Sequence, residues 1–380
     1  GGNFTAGSPG TADKIGGTFT SGAAGVISTT GGAVGIYSAG DLSLGGVITN
    51  AGAVNLQSDA TISASASIDT DNSNVRLRSD FLVDNDISIN TNTGAGNIQF
   101  DGTINDGGGS TDRTLSLSAG TGTVTFNEVV GDTQTLSGLS VTSSNGIVFG
   151  ADSYNANTQS YVAGGNNFEM NAGGPTTFTA ANSASFSNGS VLLSNGSDLS
   201  ITSGAGTMSL TSIDGTSDED VTINAGTGSI SAGAIGTGVA DGINDISLTA
   251  SGGITLSGNI TTSDDGADDG IFSVSGPATL AGDVTINTFD GGGAISFASS
   301  LDDDGAGGSN RTLTINPGAG SASFTGVVGG GQALSAIDIT AANDVTFGNN
   351  VEVAGAITQT TGTGTTTFSG ATSAGGVNLT

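Results

Sequence analysis

Residues 113–150 read RTLSLSAGTGTVTFNEVVGDTQTLSGLSVTSSNGIVFG, and residues 311–348 read RTLTINPGAGSASFTGVVGGGQALSAIDITAANDVTFG. The two stretches align without gaps and are identical at 16 of 38 positions. Within each, apolar residues alternate with polar ones over short runs, as in Leu115-Ser-Leu117 and Ile337-Asp-Ile339. A period of two is typical of a β-strand with one buried face. The stretches therefore predict short strands, and their recurrence predicts a repeat architecture.

A shorter repeat lies inside these stretches. An apolar-x-apolar pair is followed by six or seven spacer residues rich in Gly or Asn, then by a second such pair and one further apolar residue. Successive matches begin 20 to 26 residues apart, for example at Leu115 and Leu139. We interpret each match as two short strands joined by a Gly-rich corner. Because a unit this small cannot bury a core alone, we expect an all-β parallel β-solenoid of short coils of about 20–26 residues, roughly 17 in number.

Phenylalanine recurs at the last apolar position of the repeat. Equivalent positions of a solenoid lie above one another, so this recurrence predicts an internal stack of aromatic rings. The residues concerned are Phe100, Phe126, Phe149, Phe297, Phe324, Phe347 and Phe368.

A longer period lies above the coil. The alignment of the two opening stretches extends upstream, and downstream it matches Phe178 with Phe368. The sequence therefore predicts two super-repeats of one continuous solenoid, residues 1–190 and residues 191–380. We interpret the chain as a slice of a longer array, because uncapped solenoid ends expose strand edges that join a further copy.

Composition excludes several classes of function. The chain has no Cys and no His, which excludes a disulfide framework, a thiolate zinc site, a His-ligated metal and a Ser-His-Asp triad. Five basic residues stand against 34 acidic ones, giving a net charge of -29, so a nucleic-acid groove is excluded as well. The sequence contains no run of 18 apolar residues, the length that would predict a transmembrane helix. We therefore expect no membrane insertion.

The two opening stretches, together with TTTFSGATSAGGVNLT at residues 365–380, resemble the β-strand repeats of giant bacterial surface proteins, which are similar to filamentous-haemagglutinin-type adhesins. The resemblance covers most of the chain and is weakest over residues 1–33 and 150–176. It implies a right-handed parallel β-solenoid in an extracellular adhesin, fibre or matrix protein. The family offers no catalytic residue to carry over to this chain.

Acidic loops are the first candidate site. Calcium takes six to eight oxygen ligands, which carboxylate-rich loops can supply, but the EF-hand spacing and the calcium-binding nonapeptide are missing. The alternative is that these loops are solvated corners whose charge discourages lateral aggregation. We expect no cofactor and no metal-ligand residue, with calcium left open at the Asp-rich loops. The residues concerned are Asp218-Glu219-Asp220, Asp264, Asp265, Asp268, Asp269, Asp302, Asp303 and Asp304. Arg113 and Arg311 follow equivalent Asp-rich loops, and we expect each to pair with a loop Asp.

Carboxylate pairs for sugar cleavage are the second candidate site. Sugar cleavage needs two carboxyl groups beside a cleft, but the chain has no Trp, three Tyr and few basic residues, so we predict no enzyme and no catalytic residue. Tyr154 and Tyr161 lie in the stretch that departs most from the repeat. Two interpretations remain open for it, a protruding binding loop or an irregular coil.

Together these patterns predict a structural component of an extracellular or bacterial cell-surface fibre, stalk or scaffold. The chain is expected to assemble end to end, as a homo-oligomer or filament, by stacking of β-solenoid coils. The alternative is an adhesin module that binds a glycan or a protein on another surface, with residues 152–176 as the expected place.

Overall fold

The structure is a computed structural model that describes residues 2–8, 14–108, 113–236, 242–262, 270–288, 292–306 and 310–380. Contacts between residues divide the chain into two units, the first formed by residues 1–172 and 176–190 and the second by residues 173–175 and 191–380. Across the described ranges, the chain forms β-strands and no α-helix.

The first unit contains strands β1 Phe4–Ala6, β2 Phe19–Ser21, β3 Val26–Ser28, β4 Val34–Ser38, β5 Leu42–Leu44, β6 Val47–Ala51, β7 Val54–Ser58, β8 Ile62–Ala64, β9 Ile68–Thr70, β10 Val75–Leu77, β11 Phe81–Val83, β12 Ile87–Asn90, β13 Ile98–Phe100, β14 Ile104–Asp106, β15 Thr114–Ser118, β16 Val124–Phe126, β17 Leu136–Thr142, β18 Ile147–Phe149, β19 Ser153–Val162, β20 Asn167–Met170 and β21 Thr176–Ser187. Strand β22 Ser190–Leu193 begins on the last residue of this unit.

The second unit contains β23 Leu199–Ala205, β24 Thr207–Asp214, β25 Glu219–Asn224, β26 Ser229–Ile235, β27 Ile243–Thr249, β28 Ile254–Leu256, β29 Ile260–Thr261, β30 Phe272–Ser275, β31 Ala278–Leu280, β32 Val284–Asn287, β33 Ile295–Phe297, β34 Leu301–Asp303, β35 Thr312–Asn316, β36 Ala322–Phe324, β37 Ala336–Ala342, β38 Val345–Phe347, β39 Val351–Glu352, β40 Ala356–Gly362, β41 Thr366–Phe368, β42 Thr372–Ser373 and β43 Gly376–Leu379.

Each coil of the first unit has three sides. Every strand pairs in parallel with the strand one coil further along the chain, and the pairs form three ladders. The first face is β1, β4, β7, β10, β13, β16, β18 and β20. The second face is β2, β5, β8, β11 and β14. The third face is β3, β6, β9, β12, β15, β17, β19 and β21.

The second unit has the same three-sided coil. Its first face is β23, β25, β27, β30, β33, β36, β38 and β41. Its second face is the first halves of β24 and β26, then β28, β31 and β34, and it ends in β39 and β42. Its third face is the ends of β24 and β26, then β29, β32, β35, β37, β40 and β43. Parallel stacked coils in both units confirm the predicted all-β parallel β-solenoid.

The third side of the coil was not predicted. The sequence pattern indicated two strands per coil. In the structure, the single apolar residue that follows each second pair belongs to a third side of the coil. In the first unit this side narrows to isolated bridges that run from Ile104 through Val130 to Tyr154. One inward apolar residue per coil shows no alternation, so the period of two that identifies a strand is missing there.

The coils also vary in length more than the sequence indicated. Val34 pairs with Val54, 20 residues on, whereas Val284 pairs with Leu313, 29 residues on. The added residues lie in corner loops, so the strand register is unaffected. About 15 turns are present in the described residues, against the roughly 17 expected.

The predicted aromatic stack is present in each unit. On the first face of the first unit, Phe100, Phe126 and Phe149 are buried, and ring centroids of successive residues lie 5.7 and 5.8 Å apart. In the second unit, the centroids of Phe324 and Phe347 are 4.9 Å apart with planes inclined by 7°. In-register pairing puts each ring above the same position of the coil below, which confirms the prediction.

One match of the super-repeat alignment was wrong. Phe149 and Phe347 are equivalent, and the residues paired with them one coil on are Met170 and Phe368. The coil register therefore makes Phe368 the equivalent of Met170. Phe178 lies on the second face instead, paired with Tyr154. The sequence alignment lost the register because a Phe happened to follow in a neighbouring strand.

Two glycines at equivalent corners show why the repeat needs them. Gly131 and Gly329 have φ of 69° and 73°, in the left-handed region that side chains rarely adopt. A Cβ at Gly131 would lie 2.1 Å from the carbonyl oxygen of Asn155, and a Cβ at Gly329 would lie 2.0 Å from that of Glu352. The backbone of the next coil occupies the space that any other residue would need.

Candidate functional site

Side chains of Asn and Asp at the corners pair one coil with the next. Asn74 and Asn97 each stand directly before a strand, and the Asn74 Oδ1 accepts the backbone N–H of Asn97 at 2.9 Å. The Asn97 Oδ1 in turn accepts the N–H of Thr123 at 2.9 Å. At the same level, the carbonyl of Asn97 accepts the N–H of Val75 at 2.8 Å. The side-chain oxygen thus completes the ladder where the backbone turns away.

Aspartates do the same in the second unit. The Asp198 Oδ1 accepts the N–H of Asp220 at 3.0 Å, and the Asp220 Oδ1 accepts the N–H of Asp245 at 3.0 Å. The Asp245 Oδ1 then accepts the N–H of Ile271 at 2.8 Å. Burial raises the pKa of Asp220, and the nearby carboxylates of Asp245 and Asp198 add to the increase. These acidic residues are therefore structural acceptors stacked in a column, rather than freely solvated charges.

Part of the Asp-rich loops lies outside the described residues, namely Asp264, Asp265, Asp268 and Asp269. In the other loop, Asp302 faces outward and its Oδ1 accepts the N–H of Gly331 at 2.8 Å. Asp303 is buried, and its carboxylate accepts the N–H of Gly305 at 2.7 Å and the N–H of Arg311. Asp304 lies 3.5 Å from an Arg311 nitrogen. The three carboxylates therefore point to different partners rather than toward one point.

The equivalent loop of the first unit is closed by the same pair of residue types. Asp106 and Arg113 form an ion pair whose side chains are mostly buried. The Asp106 carboxylate also accepts the N–H groups of Gly108 and Arg113, at 2.9 and 2.8 Å. The prediction that each arginine pairs with an Asp of its loop is confirmed, but the first pair is less exposed than a surface ion pair.

Glu219 is the buried member of its acidic cluster. One of its carboxylate oxygens accepts the N–H of Thr216 at 2.8 Å and the N–H of Ser217 at 2.9 Å. The second oxygen receives the Thr216 hydroxyl at 3.2 Å. Among the described residues, no three acidic side chains come together in an arrangement that could hold a metal ion.

Tyr154 and Tyr161 are fully buried in the continuous strand β19, so both interpretations left open for them, a protruding binding loop and an irregular coil, were wrong. The Tyr161 hydroxyl donates to the Gln159 Oε1 at 2.9 Å, and the Gln159 amide donates to the carbonyl oxygens of Tyr154 and Thr179 at 3.0 and 2.8 Å. Burial raises the pKa of both tyrosines above the ordinary value. The polar Gln159 interrupts the apolar alternation in the sequence, and this hid the strand.

An open groove of about 370 Å³ lies at a corner of the first unit. Its lining includes Arg78, Asp80 and Glu128, and no aromatic side chain. Asp101, on the same corner, is held by Arg76 at 2.7 Å and by Gln99 at 2.8 Å. The groove offers charged groups of both signs but no apolar platform for a sugar ring.

The last coil of the second unit exposes inward residues whose equivalents one coil earlier are buried. Val377 is 46% and Leu379 is 44% exposed, whereas the residue one coil before Val377, Ile357, is fully buried. Phe368 is likewise half-buried at the end of its aromatic column. In the described residues, strands β41, β42 and β43 pair only with the coil before them.

The first coil of the first unit is open in the same way. Phe4, Phe19 and Ile27 face inward by their pairing with buried residues, but each is only half-buried. Neither coil carries a net charge. Residues 353–380 contain no charged residue, and residues 1–40 contain only Asp13 and Lys14, whose charges cancel. The whole net charge of -29 therefore lies between residues 41 and 352.

The chain matches no protein-family model, and the comparison with curated proteins and with solved structures gives no significant match. No helix in the described part of the chain could cross a membrane.

Proposed function

We propose that this chain is a structural component of an extracellular or cell-surface fibre, stalk or scaffold that assembles end to end through stacked β-solenoid coils. The observation that carries the proposal is the parallel, in-register pairing of each coil with the next, which recurs on all three faces of both units. Unpaired strand edges template pairing with another chain. At a net charge of -29, copies repel one another over most of their surface, which discourages lateral aggregation.

The interior of the coils supports a mechanical role. Stacked strands and corner side chains satisfy the backbone hydrogen bonds of each coil from its neighbours. Aromatic columns add packing between coils, so the load on one coil is shared with the next. The proposal assigns no catalytic role. It also places the protein outside the cell, in agreement with the resemblance to surface repeats and with a fold that needs no disulfide.

Sedimentation velocity over a range of concentrations tests the proposal. The wild-type chain is expected to form larger species as concentration rises. Leu379→Asp puts a charge into the open interior of β43 and should suppress these species. Asn378→Asp changes the net charge equally at the adjacent outward position, and should leave assembly unchanged. A wild-type chain that stays a single species at all concentrations would contradict the proposal.

The alternative function is an adhesin module that binds a glycan or a protein. The groove beside Arg78 is the feature that favours it, because a guanidinium among carboxylates can hold polar groups in place. Binding of the chain to a glycan array, lost in Arg78→Ala and retained in Arg76→Ala two residues earlier, would support this alternative over a purely structural role.

A further inference from the structure

We infer that Asn195 is a site of spontaneous deamidation, and that the fold protects Asn188, which has the same local sequence. The tetrapeptide Ser-Asn-Gly-Ser occurs at residues 187–190 and again at residues 194–197. Asn-Gly pairs are prone to this reaction because glycine has no side chain to hinder the approach of its backbone nitrogen to the asparagine side chain. The site does not depend on the proposed assembly.

The reaction needs only the chain and water. The backbone nitrogen of the glycine attacks the Cγ of the asparagine, and a C–N bond forms. The proton of that N–H goes to the side-chain amide group, which leaves as ammonia. The resulting five-membered succinimide takes up one water molecule at either of its two carbonyl carbons. Ring opening gives Asp, or isoaspartate with a main chain one methylene longer, and either product replaces a neutral amide by a carboxylate.

Both sites are corners with the same backbone conformation at the asparagine. Asn188 and Asn195 have φ of 54° and 60°, and both are exposed. Neither side chain has a hydrogen-bond partner among the described residues. Because local sequence, exposure and φ are matched, a difference in reactivity has to come from the peptide group that follows each asparagine.

The peptide group between Asn188 and Gly189 is fixed by the preceding coil. Its carbonyl oxygen accepts the N–H of Gly165 at 2.6 Å. Gly189 is buried, and a Cβ there would lie 2.7 Å from a ring carbon of Phe168 and 2.8 Å from the Cβ of Ala163. This peptide group must rotate to bring its nitrogen to the Cγ. Ring closure at Asn188 therefore has to break a hydrogen bond and displace packed side chains.

The peptide group between Asn195 and Gly196 is free of such contacts. Within the described part of the chain, neither its carbonyl oxygen nor its N–H makes a hydrogen bond. A Cβ at Gly196 would have no described atom within 4 Å outside the adjoining residues. The N–H of Gly173 at this corner donates to the Ser197 hydroxyl, at 3.0 Å, and leaves the carbonyl of Asn195 unbound. Rotation of this peptide group breaks no hydrogen bond of its own, so the succinimide forms in the folded chain.

Peptide mass spectrometry of the aged chain tests the assignment. The folded chain is kept at mildly alkaline pH, and samples taken over time are digested briefly with chymotrypsin, which separates the two sites by cleaving after Phe186, Leu193 and Leu199. The peptide with Asn195 should gain the mass of deamidation at least about fivefold faster than the peptide with Asn188, because breaking one backbone hydrogen bond slows a rate by about that factor.

The same chain unfolded in urea is the matched control. The two tetrapeptides are then equivalent, so Asn188 and Asn195 should convert at similar rates. Equal rates in the folded chain, or faster conversion at Asn188, would overturn the inference, and so would a folded chain in which neither site converts while both convert in urea. A preference for Asn195 that persists in urea would show that the fold does not set the rates, and would overturn it as well.

Discussion

The carboxylate of Asp220 accepts the backbone N–H of Asp245 at 3.0 Å, from the equivalent corner one coil further along the chain. The carboxylate of Asp198 accepts the backbone N–H of Asp220 in the same way. Acidic residues thus replace backbone carbonyls as hydrogen-bond acceptors at the turns, which gives part of the strong negative charge a structural reason. The arrangement places carboxylates of like charge close together in a partly buried column.

The stacked carboxylates predict that the fold is stabilised by mild acid. The pKa of Asp220 is raised in the folded chain, so the folded state binds a proton more readily than the unfolded state. The free energy of unfolding should therefore rise as pH falls from 7 toward the ordinary Asp pKa of about 3.9. Urea denaturation at several pH values checks this.

Asp220→Asn supplies the variant for this experiment. It keeps an acceptor oxygen but loses the charge, so it should be more stable than the wild type at pH 7 and depend less on pH. The control is Asp132→Asn, which removes one charge at an exposed position. An equal change of pH dependence in both variants would show that general charge repulsion, and not the column, is responsible.

The aromatic column predicts a large cost for removing one ring. Phe324 is buried between Phe297 and Phe347, and Phe324→Ala should lower the free energy of unfolding by about 3–5 kcal/mol. Ser323→Ala, on the outward side of the same strand, should change it by less than about 0.5 kcal/mol. Equal effects of the two substitutions in urea denaturation would contradict the assigned faces.

The corner hydrogen bonds predict a local effect on exchange. Asn97→Ala removes the acceptor of the Thr123 N–H, which should cost about 1 kcal/mol. The peptide that contains Thr123 should then exchange its amide hydrogens faster in hydrogen–deuterium exchange. Asn97→Asp keeps an acceptor oxygen and should retain most of the protection, so loss of protection in both variants would point to general loosening instead.

The two buried tyrosines predict that the fold loses stability at alkaline pH. The pKa values of Tyr154 and Tyr161 are raised by burial, so these residues stabilise the fold below the ordinary tyrosine pKa of about 10 and cease to do so above it. In the ultraviolet titration of phenolate, their signal should appear only at higher pH, with unfolding. The double variant Tyr154→Phe with Tyr161→Phe should lack that signal, and an early signal from either tyrosine would contradict the burial.

Periodicity along the chain reveals some features of this fold and leaves others hidden. Alternation revealed the strands, and exact recurrence of Phe126 and Phe324 revealed the aromatic columns, because both are patterns along the chain. The buried strand around Tyr161 escaped detection because the polar Gln159 occupies an inward position. The side-chain amide of Gln159 donates hydrogen bonds to backbone carbonyls of its own coil and of the next coil, and a pattern along the sequence does not show such contacts. Those partners lie up to 20 residues away.

The corner aspartates were open to a better interpretation from the sequence. Asn97 and Asp220 each precede an apolar residue that starts a strand segment, and this position recurs from coil to coil. The recurrence was a signal for a structural acceptor, but Asp-rich composition drew attention to calcium. Which oxygen receives which N–H depends on the stacking of coils and could not be read from one coil alone.

Electron cryomicroscopy of the concentrated wild-type chain is the most direct test of end-to-end stacking. The map should show strand ladders that continue across the joint between copies with the same spacing of about 4.8 Å as within a copy. Copies that remain separate at every concentration, or that associate side by side with their open coils uncovered, would contradict it.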